Sequence, residues 1–217
     1  MIHFVSVKRN PKTIRPDSVR IQEMNIIGLS GTNGSGKDTV MNLLSEKYGF
    51  FSASATEMLV SELNNRGWAL DRKHKAMLSS EWRRQHGMGV VVDKAIELFE
   101  QQPKGKYKGL VVGSLRHPGE ADSIHKFGGQ MIWVDADPEV RYRRIQANLQ
   151  ERIGTHAEHG LSFKEFQADE AREMNRQTDD KSTLDMSAVK EKSDIFLQND
   201  SNSAEAFKTE VQKILNL

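Results

Sequence analysis

The residues best suited to chemistry stand together: Gly31, Thr32, Asn33, Gly34, Ser35, Gly36, Lys37, Asp38 and Thr39. The glycines let the backbone turn tightly and aim successive N–H groups inward, at angles that residues with a Cβ resist. Lys37 adds a full positive charge suited to the β- and γ-phosphates of a nucleotide. An apolar run, Asn25 to Ser30, precedes the loop and reads as a buried strand. Val40, Leu43, Leu44 and Tyr48 follow at the spacing of one helix face. Strand, glycine loop, lysine and helix form the context a phosphate-binding loop needs. The helix N-terminus contributes partial positive charge and free donors. The residue after the lysine is Asp38, where the general pattern has a magnesium-binding Ser or Thr, and Thr39 comes next.

Phosphoryl transfer asks a protein for in-line positioning and for cations around charged oxygens. Three groups of arginines qualify. Arg116 follows a short apolar strand, 109–114. Arg83 and Arg84 sit on a charged helix, 72–85. Arg141, Arg144 and Arg152, with Arg143 beside them, share a face of a helix that starts at Pro138, because their offsets are three and eleven. The acidic residues Glu165, Asp169, Glu170 and Glu173 interleave with Arg172 and Arg176, the pattern of a salt-laced exposed face. His156 and His159 lie in a glycine-containing loop, 151–160, without metal-ligand spacing.

The elements that must position these side chains alternate. Strands at 25–30, 50–54, 109–114, 130–135 and 194–198 are separated by helices, which argues for a parallel sheet covered on both faces. Ligands then collect at the carboxyl ends of the strands. That rule selects Lys37, Glu57, Arg116, Asp135 and Asn199. Asp137 caps a helix with Pro138 at its first position, and Ala204 to Leu215 reads as a closing amphipathic helix. Residues 1–24 form an N-terminal extension: a loose edge strand at 2–7, then a basic arm with Pro11 and Pro16.

At 217 residues the chain can bury one real core. A formal net charge of +1 gives no argument for a nucleic-acid or membrane partner. The absence of cysteine excludes a disulfide framework and a thiolate metal site and fits a reducing cytoplasm. No apolar run approaches the ~20 residues of a membrane span.

The form Gly31-x-x-Gly34-x-Gly36-Lys37-x-Thr39 resembles the loop of nucleoside monophosphate kinases and dephospho-coenzyme A kinases, and a weaker resemblance extends from residue 25 onward. Val111 to Arg116 is similar to the Asp-Gly-aromatic-Pro-Arg motif of nucleoside monophosphate kinases. Arg116 matches the arginine that grips the acceptor's phosphate, while Gly113 replaces the aspartate. Glu57 stands near the place of a family aspartate and Val60 at that of an arginine, so this acceptor contact is expected from Arg83 or Arg84 instead. The segment with Arg144 and Arg152 resembles the helix and lid whose arginines bind the transferring phosphate. Asn199 and Asp200 resemble the adenine-side loop.

The resemblance implies a P-loop NTPase fold of class α/β with a five-stranded parallel sheet in the order 2-3-1-4-5. The kinase domain would span 25–217, with a helical acceptor-binding insertion at about 56–100 and a lid at about 150–162. It implies ATP as donor, held by Gly31, residues 33–39 and Asn199, with Mg²⁺ at Asp38 and Thr39. The acceptor would be a small phosphorylated molecule, a (deoxy)nucleoside monophosphate or a coenzyme A precursor, on a monomer or homodimer. For a hydroxyl acceptor, Glu57 would be the base. A regulatory P-loop ATPase and a nucleotide-binding module without kinase activity are the alternatives. A GTPase is excluded by the lack of Asn-Lys-x-Asp after the fourth strand.

Overall fold

Period-two alternation along the strands decides how the sheet is covered. The fold is that of a computed structural model, which describes residues 25–148, 162–176, 178–201 and 203–217. Residues 1–24 and the expected lid through residue 161, with Arg152, His156 and His159, lie outside the described residues. The strands are β1 (Ile26–Gly31), β2 (Phe50–Ser54), β3 (Gly109–Gly113), β4 (Gln130–Asp135) and β5 (Ile195–Gln198). They form one sheet in the order β2-β3-β1-β4-β5, and every pairing is parallel.

Leu110, Val112, Met131 and Trp133 point to one face. There they pack with Leu59 and Leu63 of α2 (Ala55–Asn65), Leu78 and Trp82 of α3 (Arg72–His86), and Val92 and Ile96 of α4 (Val90–Glu100). Ile124 of α5 (Pro118–Lys126) and Val189 of α8 (Met186–Glu191) complete that layer. Val111, Ile132 and Val134 point to the other face. They meet Val40 of α1 (Lys37–Asn42), Leu44 of the π-helical turn Leu43–Lys47 that continues α1, and Phe207 and Val211 of α9 (Ala204–Leu215). Burial on both faces explains why these strands read as continuous apolar runs. Two further helices, α6 (Pro138–Ala147) and α7 (Phe163–Met174), meet through Tyr142, Phe163 and Phe166 above the end of β4.

Most helix starts carry a side-chain cap: Ser54 on α2, Asp71 on α3, Asp137 on α6, Asp185 on α8 and Ser203 on α9. The helices α5 and α7 have full capping boxes, His117 with Glu120 and Ser162 with Glu165. In contrast, α1 begins at Gly36 with no side-chain cap hydrogen bond. Its N-terminus opens at the carboxyl edge of the sheet, where the crossover topology gathers the loops. No helix among the described residues is long and apolar enough to cross a membrane.

The end of β1 is crowded. Gly31 has φ 138°, and a Cβ there would sit 1.9 Å from the carbonyl oxygen of Val134. Gly31→Ala is expected to destabilise the fold by about 3 kcal/mol or more, since backbone cannot yield as a side chain can. Gly105→Ala, at φ 77° with open space around it, is expected to cost only about 1–2 kcal/mol. Urea denaturation of both variants checks the contrast.

Candidate active site

The glycine loop is tied down on the side away from its opening. Asn199, buried at the end of β5, donates from Nδ2 to the Ser35 carbonyl at 2.8 Å, and its own N–H donates to Asp135 O at 2.8 Å. A Cβ on Gly36, at φ 101°, would lie 2.4 Å from that Nδ2. Ser35, fully buried, donates from Oγ to the Thr32 carbonyl at 2.8 Å, and the Lys37 ammonium donates to the same oxygen at 2.6 Å. Lys37 and Thr39 are half-buried, while Asp38 is exposed on the first turn of α1.

Asp135 closes the β4 side. It accepts from Thr32 Oγ1 at 2.7 Å, Trp133 Nε1 at 3.2 Å and Lys190 Nζ at 3.3 Å. Burial alone would raise this carboxyl, but the Thr32 and Trp133 hydrogen bonds and the Lys190 charge outweigh it and hold Asp135 below the ordinary carboxylate range. Arg144 reaches over the loop: it donates to Ser201 O at 2.5 Å and approaches Asn199 Oδ1 and Gly34 O at 3.4 and 3.5 Å. Arg141, expected on the same face, is buried instead. It donates to Ala136 O at 2.8 Å and Asn33 O at 3.3 Å and pairs with Glu170.

The other half of the site is built by the turn after β3. Ser114 has φ 62°, a left-handed backbone that a non-glycine residue adopts only when held. The holding contacts run to β1: Leu115 N donates to Leu29 O at 3.1 Å, and Ser30 Oγ donates to Leu115 O at 2.6 Å. One carboxylate then fixes the start of α5. Glu120 Oε2 accepts from the backbone N–H groups of Arg116 and His117 at 2.8 and 3.0 Å, while Oε1 pairs with Arg83 at 2.7 Å. Sequence reasoning set Arg83 and Arg84 together as acceptor-holding candidates on an exposed helix. Arg83 is buried, with a further bond to Ser182 O at 3.0 Å, and Arg84 pairs with Asp180 in solvent.

A cavity of about 80 Å³ opens between this turn and the helices α2 and α3. Its apolar lining includes Ala55, Leu59 and Val91, and its charged lining comprises Arg72, Lys75, Arg83, Arg116, Glu120 and Glu173. Glu57 is exposed on the outer side of α2, and its neighbour Thr56 lines the cavity. Glu173 of α7 pairs with Arg116 and lies 3.4 Å from Arg72. Burial would push Glu173 up, but the Arg116 and Arg72 charges, the Arg116 hydrogen bond and the Lys37 charge together hold it down. On the same helix, burial raises Glu170; its Arg141 partner opposes this, and the charges of Asp135 and Glu173 add to it. The expected salt-laced face of α7 is therefore only partly exposed: Glu170 and Glu173 turn inward onto the arginines of the site. The alternating charges showed that pairs would form, but not which face the helix would bury.

For Mg²⁺, the Thr39 hydroxyl and Asp38 carboxylate offer hard oxygen donors at the start of α1, a small set that suits an ion keeping several waters and phosphate ligands. Among the described residues no group of three or more His, Asp or Glu has metal-holding geometry. Gly113, at the position of the family aspartate, faces Met41: a Cβ there would lie 2.7 Å from its sulfur.

Comparison with known proteins agrees with this architecture. A family model described as an AAA domain matches residues 27–159. No curated protein matches the sequence. Among solved structures, the chain is similar to a shikimate kinase from Bacteroides thetaiotaomicron, at 13% identity and TM-score 0.59 over 89% of this chain and 99% of that one. It is similar to a Thermus thermophilus protein at 20% identity and TM-score 0.55, covering 90% and 98%. A shikimate kinase from Acinetobacter baumannii, solved in complex with shikimate, gives 14% identity and TM-score 0.52, covering 89% and 95%. At these identities the likeness carries the fold alone: the five-stranded parallel P-loop NTPase architecture.

Two outcomes follow from the turn after β3. Arg83→Ala would leave the buried Glu120 carboxyl without its cation, at a cost of about 3–5 kcal/mol, whereas Arg84→Ala loses only a solvent-exposed pair and should barely move the transition; urea midpoints of the two alanine variants check this. His117 is buried, accepts from Gly119 N at 3.0 Å, and faces the Lys181 carbonyl at 2.8 Å, which a neutral ring can satisfy with its Nε2–H. Burial, and then the Arg83 and Arg176 charges, lower its proton affinity below that of an ordinary histidine. The unfolded chain therefore takes up this proton first, so stability falls as pH drops below about 6.5. His117→Asn, which keeps a capping side chain, is expected to flatten the stability profile between about pH 7 and 5. An unchanged slope would assign the titration to another group.

Proposed function

The chain belongs to the AAA domain family, and from that premise we propose that it is an ATP-dependent phosphotransferase. It moves the γ-phosphoryl group to a small phosphorylated acceptor, of the nucleoside monophosphate or coenzyme A precursor kind. The observation that carries this reading is the cavity after β3, whose wall offers Arg72, Lys75 and Arg116 and whose Glu173 also feels the Lys37 charge. A switch that only binds and hydrolyses nucleotide has no need of a second cationic site within reach of the Lys37 charge.

In this reading Lys37 and the loop amides of residues 31–39 hold the β- and γ-phosphates, and Arg144, beside Gly34 and Asn199, supports the same site. When bound, Mg²⁺ neutralises phosphate charge, and Thr39 with Asp38 would hold it. Arg116 grips the acceptor phosphate, with Arg72 and Lys75 adding charge. Arg83 acts at one remove, because its pair with Glu120 fixes the turn that carries Arg116. Arg152 is assigned to the transferring phosphoryl group on the resemblance alone. A phosphate acceptor brings its own nucleophilic oxygen, so no base is required. The exposed position of Glu57 supports that choice over a hydroxyl acceptor.

The test is ADP release measured with a panel of phosphate monoesters. Turnover should require an acceptor; turnover without one marks a regulatory ATPase, and none at all marks a binding module. Lys37→Ala should abolish transfer while the fold is retained. Arg116→Ala should raise the acceptor KM by about 10- to 100-fold and spare the KM for ATP, the signature of a contact made in the ground state as well as the transition state. A change in ATP affinity with the acceptor KM unmoved would contradict the two-site assignment.

A further inference from the structure

The acceptor cavity already contains an anion of its own. Glu173 belongs to α7, which follows the segment 149–161 in the chain, yet its carboxylate lies in the cavity wall on the cations assigned to the acceptor. Oε2 pairs with Arg116 Nη1, and Oε1 lies 3.4 Å from Arg72 Nη1. Arg116 and Arg72 keep 26% and 35% of their side chains exposed. They are therefore reachable, unlike Arg83, whose partner Glu120 is sealed beside it at 2% and 1%. The cavity thus has a sealed ion pair, Arg83 with Glu120, and more open contacts of Glu173 with Arg116 and Arg72, the latter also 3.8 Å from Asp169.

We propose that Glu173 is a specificity-determining residue: its carboxylate occupies the acceptor-anion position on Arg116 and Arg72, and only a group that outcompetes a carboxylate enters. The inference rests on the phosphotransferase reading and refines it. A neutral molecule cannot displace Glu173. A carboxylate exchanges like for like and must also overcome the tethered group's high local concentration. A phosphate monoester dianion brings a second charge and three acceptor oxygens to the two guanidinium forks, and it prevails. Selectivity for phosphate over carboxylate thus comes from a built-in competitor as well as from attraction.

The probes are inorganic phosphate and acetate, titrated calorimetrically without ATP at about pH 8, where inorganic phosphate is mainly the dianion. Wild type should bind phosphate, at the phosphate loop as well as at the cavity, and show no measurable acetate binding; the loop's share is common to all the variants. Glu173→Gln should tighten phosphate by about tenfold, equal to about 1.4 kcal/mol, and bring acetate into the measurable range. The phosphate gain should vanish when Arg116→Ala is combined with Glu173→Gln. Weaker phosphate binding in Glu173→Gln would mean that Glu173 orients Arg116 instead of competing for it. Unchanged binding, or a gain that survives loss of Arg116, would overturn the proposal as well. A readout on the wild-type chain guards against misfolding of the variant. Phosphate should shift the Arg116 side-chain ¹⁵N resonance and acetate should not; equal shifts from both would refute the selectivity. These titrations contain no nucleotide, so their failure is distinct from failure of the acceptor panel.

Discussion

Close approach of the loop backbone to β4 and to the Asn199 side chain is the constraint from which the site follows. Gly31 leaves no room for a Cβ against Val134 O, and Gly36 leaves none against Asn199. These contacts bring the loop onto β4 and β5 and set the first turn of α1, which has no side-chain cap, at the carboxyl edge of the sheet. Asn199 and Asp135 lock the arrangement from outside through Ser35 and Thr32. A loop held this way enters the bound state with little conformational entropy left to lose.

Charge is handled in two ways around the site. Arg83 and Glu120 are buried together and satisfy the turn after β3, so their role is to aim Arg116. Arg116, Arg72 and Arg144 stay partly exposed, with partners that a ligand can replace. Burying a fixed pair is costly and adds little net stability, but it holds the backbone of the neighbouring arginine while that side chain stays partly exposed. The left-handed Ser114, held between β3 and the Leu115 contacts to β1, belongs to the same device.

The architecture was readable because its signals are local. Strands buried on both faces give apolar runs, and Asp137 with Pro138 marks a helix start without reference to anything distant. The order 2-3-1-4-5 came from the resemblance and agrees with the pairings. The division of labour between Arg83 and Arg84 was not readable, because adjacent residues on a helix point about 100° apart and only the tertiary packing decides which is buried. The inward turn of Glu170 and Glu173 was hidden for the same reason. Their spacing fits an exposed salt-laced helix equally well, and the cations that draw them in come from α3, α6 and the turn after β3, far away in sequence. Arg72 and Lys75 gave no signal beyond charge at the start of a helix.

The central claim is that the phosphate loop and the cationic cavity serve one reaction. The most direct measurement is ³¹P NMR of the wild-type chain with ATP, Mg²⁺ and phosphate monoesters supplied one at a time. The account predicts that, with a competent acceptor, a phosphoanhydride resonance on that acceptor grows in step with ADP and without accumulation of inorganic phosphate. Growth of inorganic phosphate at the same rate whether or not an acceptor is present would contradict it.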